Sequence, residues 1–232
     1  MLVKNWMSTP AVTIDMHSSM QEAEALLKTH KISMLPVMDR TRLVGVVTDG
    51  DLKKASPSGA SSLDAHELLY LLSTIQIKDI MTKDAITVPA DLTIEETAEV
   101  LMDNKISGVP VVDRHGGVIG VISHTDLFKV IIAMAGIKKR GIQFAFRLED
   151  RGGSILEVAA LIRKHGGRIC SILTSYENAP EGYRNVYIRI FKTDSLELEA
   201  MKSALKDAFF LLYMVDHYNN IREIHDSGRK DR

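Results

Sequence analysis

Residues 31–52 read K-I-S-M-L-P-V-M-D-R-T-R-L-V-G-V-V-T-D-G-D-L, and residues 105–127 read K-I-S-G-V-P-V-V-D-R-H-G-G-V-I-G-V-I-S-H-T-D-L. The second stretch is the first with one extra residue in the turn after Arg114. Outward from it, residues 3–52 align with 77–127 with 17 identities, among them Lys4/Lys78, Met7/Met81, Thr13/Thr87, Pro36/Pro110 and Gly45/Gly120. A repeat constrains the fold before any local reading. Two copies are too few for a solenoid, so two halves facing each other across a pseudo-two-fold axis is the simpler arrangement.

Both copies predict the same local order. A short β-rich piece comes first, at 11–14 and 85–88. A helix then opens at a capping box, Ser19 with Glu22 and Thr93 with Glu96, where side chains satisfy orphan N–H groups. Met20, Ala23, Leu26 and Leu27 repeat at helical spacing, with Ile94, Thr97, Val100 and Leu101 as counterparts. Strands near 35–39 and 43–48 follow, joined by Arg40-Thr41-Arg42, and again near 109–113 and 118–123. A last helix starts at Thr48-x-x-Asp51 or Ser123-x-x-Asp126. The unit is β-α-β-β-α. Between the copies, S-P-S-G-A-S-S at 56–62 has linker composition, and a helix is expected over 63–74. The helix after Leu127 should stop near Gly136.

From Gly141 the pattern changes. Ile142, Phe144, Phe146 and Leu148 alternate with polar or small residues, as in a strand with one buried face. Asp150-Arg151-Gly152-Gly153 then turns into a helix to about His165, ended by Gly166-Gly167. Strands near 168–176 and 184–192, a helix over 195–207 and a strand over 209–216 complete β-α-β-β-α-β, the ferredoxin-like order. Residues 219–232 read as a polar tail.

Composition excludes several classes. The net charge is -1, from 29 basic and 30 acidic residues, which argues against a bulk electrostatic grip on nucleic acid. No run of apolar residues is long enough to span a membrane, and the start of the chain lacks a signal-peptide core. The single cysteine, Cys170, cannot form an internal disulfide; a reducing cytoplasm is the expected compartment. The histidines are scattered without metal-ligand spacing, so no metal and no cofactor is expected. No nucleophile–base arrangement marks an enzyme.

Thr48/Asp51 and Ser123/Asp126 admit two compatible readings. One is a second pair of capping boxes. The other is a nucleotide half-site, with an anion at the helix start and the carboxylate accepting from ribose hydroxyls. Ile32-Ser33-Met34-Leu35-Pro36 and Ile106-Ser107-Gly108-Val109-Pro110 are either loops entering a strand or apolar slots for a flat base. Their occurrence in both copies favours a site.

The starts V-K-N-W-M-S and I-K-D-I-M-T, the middles K-I-S-x-h-P-V-h-D-R (h apolar) and the ends G-V-V-T-D-G-D-L and G-V-I-S-H-T-D-L resemble CBS motifs, and residues 1–136 together resemble a CBS pair. The resemblance implies repeat one at 1–55, a linker and helix at 56–76 and repeat two at 77–136. It implies a regulatory sensor for adenine nucleotides (AMP, ADP, ATP) or S-adenosylmethionine. It also implies shared clefts: Thr13, Ile32, Ser33 and Pro36 with Ser123 and Asp126, and Thr87, Ile106, Ser107 and Pro110 with Thr48 and Asp51. Residues 141–218 resemble an ACT domain, on L-E-D-R-G-G-S-I-L-E-V-A-A-L-I and H-G-G-R-I. That implies an amino-acid site at Asp150, Arg151, Gly152 and Gly153, and a homodimer; where the family has Pro before the last Gly, this chain has Gly152. The fold class expected is therefore α+β, a CBS pair followed by a ferredoxin-like domain. A CBS pair followed by an ACT domain resembles the acetoin utilisation (AcuB) group. The regulated protein partner is not named by any of these residues.

Overall fold

The computed structural model describes residues 1–56, 73–191 and 195–225. The chain divides into two compact units, Met1–Phe128 and Lys129–Arg232. Apart from Ser56, the expected linker at 56–62 lies outside the described residues, and so does the helix expected over 63–74 apart from its last two positions.

The first unit holds both repeats. Repeat one is β1 (Ile14–Asp15), α1 (Met20–His30), β2 (Met34–Asp39), β3 (Arg42–Thr48) and α2 (Asp49–Ala55). A one-turn helix α3 (Ile77–Ile80) and β4 (Thr82–Lys83) lead into repeat two: β5 (Val88–Pro89), α4 (Ile94–Asp103), β6 (Gly108–Val112), β7 (Val118–Ser123) and α5 (His124–Met134). Helix α5 runs across the division between the units. Both expected capping boxes are formed: Ser19 and Thr93 each accept from the N3 amide, and Glu22 and Glu96 each accept from the cap amide. Those hydrogen bonds hold both carboxyls below the ordinary carboxylate range. On α1, Met20, Ala23 and Leu27 are buried, and on α4 Ile94, Thr97 and Leu101. Strand β2 is buried from Met34 to Val37 without alternation, as a strand covered on both faces must be. Its side chains join Ile14, Val47, Leu52 and Ile77 in one core.

The leading strands are shorter than the expected 11–14 and 85–88, because the residues before them go elsewhere. Strand β4, from the start of repeat two, pairs with β3 of repeat one through Gly45–Lys83 and Val46–Thr82. Reciprocally, Ser8 and Val121 exchange both backbone hydrogen bonds at 2.9 and 3.0 Å. Each repeat therefore completes the other's hairpin. Gly45 and Gly120 sit at these crossings: a Cβ on Gly45 would run into the Thr82 carbonyl oxygen, and one on Gly120 would lie 2.7 Å from Met7 Sδ and 2.9 Å from Ser8 O.

The second unit is β8 (Ile142–Glu149), α6 (Ser154–Lys164), β9 (Ile169–Ser175), β10 (Tyr183–Ile190), α7 (Ser195–Ala208), β11 (Phe210–Asp216) and β12 (Ile221–Ile224). Its sheet order is β12-β11-β8-β10-β9, all antiparallel, and without β12 this is the ferredoxin-like arrangement. Phe144 and Phe146 of β8 are fully buried against Val158 and Ile162 of α6 and Met201 and Leu205 of α7. At about 2 kcal/mol per buried large apolar side chain, this face is what holds the helices to the sheet.

The polar tail contains a strand that its sequence does not signal: β12 pairs with β11, and Glu223 accepts from Lys202 of α7 at 2.7 Å. On the sheet face away from the core, Arg189 is 2% exposed. It donates through Nε to Ala135 O (2.6 Å), and through its terminal nitrogens to Arg140 O (3.2 Å) and Gln143 Oε1 (2.9 Å). Ser171 Oγ donates to the same Ala135 carbonyl at 3.1 Å. A cation here meets the negative end of α5.

Candidate functional site

Strand β3 ends where α2 begins, and Thr48 is the cap. Its amide and its hydroxyl both donate to Asp51 Oδ2, at 3.0 and 2.7 Å, and the Asp51 amide donates back to Thr48 Oγ1 at 3.2 Å. Repeat two has the same side-chain pairing: Ser123 N and Ser123 Oγ donate to Asp126 Oδ2 at 3.0 and 2.8 Å. Thr48 and Asp51 thus form the full capping box, and Ser123 and Asp126 form the half in which the carboxylate accepts from the cap amide. A hydroxyl and a carboxylate are fixed side by side at equivalent strand-to-helix junctions. Asp51 is partly exposed, whereas Asp126 is 5% exposed.

The Ile-Ser segments lie next to these caps within their own repeats. Met34 pairs with Thr48, and Ser33 O accepts from Asp49 N at 3.1 Å. Gly108 pairs with Ser123, and Ser107 O accepts from His124 N at 3.0 Å. Ser33 and Ser107 are exposed, Ile32 and Ile106 half-buried, and Pro36 and Pro110 buried within β2 and β6. A ligand at either slot would meet the isoleucine, while the proline shapes the strand from inside.

Thr13 and Thr87 stand apart from the caps. Ile14 pairs with Val37, which puts Thr13 level with Pro36. Thr13 lines a cavity of about 580 Å³ with Met38 and Arg40 of repeat one and Val118 and Ile119 of repeat two. Ile119 is four residues from Ser123, about 13 Å along the strand. Thr87 lines a matching cavity of about 490 Å³ with Arg42, Leu43 and Val44 of β3, Lys83 and Asp84. Of the predicted nucleotide-site residues, Thr13 lines the first of these two cavities and Thr87 the second. The charged residues in the walls were not singled out from the sequence as ligand groups. Arg42 and Lys83 lie far apart in the chain and in different repeats, so only the strand exchange brings them together.

In the second unit the Asp150–Gly153 turn is closed by its own side chains. Arg151 makes a two-bond contact with Glu157 at 2.7 and 2.8 Å and donates to Glu149 at 3.2 Å. This pairing holds the Glu157 carboxyl below its ordinary range. Asp150 lies 3.6 Å from Arg184 and 3.4 Å from the Tyr176 hydroxyl. Gly153 takes φ 89° as the cap of α6, a conformation that favours glycine; a side chain at Gly152 would meet open space. Beside the turn is a cavity of about 290 Å³ walled by Arg147, Arg151, Ser154 and Phe210. The Nε atoms of Arg147 and Arg184 are buried without a hydrogen-bond partner.

Among the described residues, no group of three His, Cys, Asp or Glu side chains could hold a metal ion, and no helix is long and apolar enough to cross a membrane.

Two β-α-β-β-α repeats that trade strands, each ending in a hydroxyl–carboxylate cap, define a tandem-repeat module. The family profile for the CBS domain matches residues 3–58 and 77–133, and the chain belongs to the CBS-domain family. A CBS domain-containing protein of Dictyostelium discoideum is 30% identical over 132 residues, covering 56% of this chain and 91% of that protein. An inosine-5′-monophosphate dehydrogenase of Korarchaeum cryptofilum is 34% identical over 117 residues, 50% of this chain but 21% of the dehydrogenase. The chain thus matches only about a fifth of that enzyme's length. A crystal structure of a CBS domain pair in complex with 5′-methylthioadenosine and S-adenosyl-L-methionine is 30% identical, covering 57% of this chain and 97% of its own, with a TM-score of 0.48.

Proposed function

We propose that this protein is a regulatory small-molecule sensor whose CBS pair binds an adenine nucleotide or S-adenosylmethionine, with no catalytic step of its own. The observation that carries the reading is the duplicated cap. Asp51 and Asp126 each stand beside a hydroxyl at the same junction, and each copy has an exposed serine and a half-buried isoleucine next to it. A carboxylate accepts from both hydroxyls of a ribose, and an apolar side chain suits the face of a base. On Asp51 the cap uses Oδ2 alone, so Oδ1 is the atom offered to a ribose. The second unit is read as an ACT domain that pairs two copies. Its cavity at Arg147 and the Asp150–Gly153 turn would take an amino acid, with the guanidinium meeting the carboxylate. Ligand shifts the protein between two states only by its differential affinity for them, and the partner reads the difference. A role in acetoin utilisation rests on the order of the two domains alone.

A second reading, an interaction module with vestigial clefts, is favoured by one observation: both Asp side chains already serve as caps. Calorimetry with AMP, ADP, ATP and S-adenosylmethionine separates the two. The sensor reading expects binding to at least one ligand, with Asp51→Asn and Asp126→Asn each weakening it by about tenfold, the loss of a charge-assisted hydrogen bond. Silence with all four ligands favours the vestigial reading.

A further inference from the structure

The Thr13 and Thr87 cavities are built largely from equivalent positions, so each is a control for the other. Val46–Thr82 in one crossing corresponds to Val121–Ser8 in the other, and Met81 approaches Gly45 as Met7 approaches Gly120. Lys83 therefore corresponds to Thr9. Leu43 pairs with Met38 and Val118 with Val112, so Arg42 corresponds to Gly117. At the positions where one repeat puts Lys83 and Arg42 in a cleft, the other has Thr9 and Gly117, and of these only Thr9 lines the second cleft. Thr9 is moreover occupied, donating to Ile119 O at 2.9 Å.

Charge follows the same division. Lys83, Arg42 and Asp84 line one cavity: two cations and one carboxylate. Arg40 and Asp15 line the other, one of each, and Asp15 already accepts from His17 N at 2.8 Å. Neither Arg42 nor Lys83 has a carboxylate within 4.0 Å among the described residues. By contrast, Lys28 and Lys53 pair with Glu24 and Asp49 on their own helices. Two unpaired cations converging on one concave site make a receptor for a multiply charged anion. Lys83 lies level with Gly45, three residues from Thr48, which is about 10 Å along β3. A phosphate chain can cover that span from a ribose held at Asp51.

We propose that Arg42 and Lys83 form a phosphate subsite, so that these two clefts are unequal: the Arg42–Lys83 cleft, with two cations, selects a nucleoside polyphosphate and the Thr9–Arg40 cleft, with one, does not. The proposal rests on the nucleotide reading above for the nucleoside part of the ligand, and on the two cations for the phosphate part.

The test uses calorimetry on the full chain with ATP, adenosine, S-adenosylmethionine and inorganic tripolyphosphate, comparing the native protein with Arg42→Gln/Lys83→Gln. Both residues are exposed, and a thermal melt verifies that the double variant is folded. In the native chain, ATP should bind at least about tenfold tighter than adenosine at low salt, the advantage shrinking as salt is added. In the double variant that advantage should fall at least about fivefold and tripolyphosphate binding should vanish, with S-adenosylmethionine unchanged within about twofold. ATP and tripolyphosphate affinities unchanged in the double variant would overturn the subsite and leave the sensor reading standing. Tripolyphosphate binding that depends on Arg42 and Lys83, with no nucleoside ligand bound at all, would keep the subsite and defeat the nucleotide reading. Failure of every probe would remove both.

Discussion

Gly45 and Gly120 occupy equivalent places at the two strand crossings, yet the same substitution should not cost the same at each. Replacing glycine by alanine restricts the unfolded chain and, where the site is open, stabilises by about 0.4–1 kcal/mol. Against this stands the added methyl group. At Gly45 it meets the Thr82 carbonyl, a backbone atom fixed by the β3–β4 pairing, with Met81 Sδ 3.1 Å away. Overpacking against such a wall costs about 3 kcal/mol, the upper part of its usual range, so Gly45→Ala should destabilise by about 2 kcal/mol net. At Gly120 the nearest atom is the sulfur of Met7, the flexible end of a side chain, and Ser8 O lies at 2.9 Å. There the methyl costs about 1–2 kcal/mol and the net loss should be about 1 kcal/mol or less. At about 3–6 °C per kcal/mol for a unit of this size, Gly45→Ala should lower the midpoint by about 6–12 °C. Trp6 is the only tryptophan in the chain and lies in the first unit. Its fluorescence in a urea titration therefore reports this unit alone. A Gly45→Ala protein as stable as the native one within about 0.5 kcal/mol, or a Gly120→Ala protein that is the weaker of the two, would refute the reasoning.

Two further outcomes are expected. Arg189→Met should destabilise the second unit by about 2–3 kcal/mol, because the Arg140 carbonyl and Gln143 Oε1 lose this donor while Ala135 O keeps only the hydroxyl of Ser171; Arg189→Lys should recover only part, since an ammonium cannot reproduce the three directions of the guanidinium, and near-UV circular dichroism during denaturation is the readout. The attachment of β12 should depend on pH at both ends: the hydrogen bond from Lys202 lowers the Glu223 pKa from 4.5, so that stabilisation is complete above 4.5 and lost as pH falls through the lower folded value, whereas the Lys202 pKa is raised from 10.5, so its share is complete below 10.5 and lost as pH rises through the higher folded value. Ile221 and Ile224 methyl signals should shift on acidification to about pH 3, and Glu223→Gln should abolish that acid limb; signals that stay in place would show that the ion pair does not hold the strand.

Much of this fold was legible because its signals are local or duplicated. Ser19 and Glu22 are three residues apart, and one turn of helix suffices to join them. Ile142, Phe144, Phe146 and Leu148 alternate on a single strand. The repeat made each reading of one copy a check on the other. What the sequence hid is non-local. Strand β12 has Ile221 and Ile224 three apart, which breaks the alternation of a strand, and its place is set by β11 and by Lys202 on α7. The short leading strands reflect Ser8 crossing to Val121 in the other repeat. The family resemblance implies clefts that gather Thr13 with Ser123 and Thr87 with Thr48. The structure puts both threonines in cavities farther along the strands, with Arg40 in one and Arg42 and Lys83 in the other. Nothing in a linear pattern marks two cations from separate repeats as neighbours.

Strand β12 also bears on how copies of this chain can assemble. A sheet of order β11-β8-β10-β9 has two outer strands of seven residues each, and a sheet with two bare sides can recruit copies at both and grow without limit. With β12 laid on β11, one side ends in four residues that include Arg222 and Glu223, while β9 keeps its full length. Among the described residues, one long side remains. A copy that paired through β9 about a two-fold axis would use up that side. On the other side an added strand would find four residues to pair with where β11 alone would offer seven.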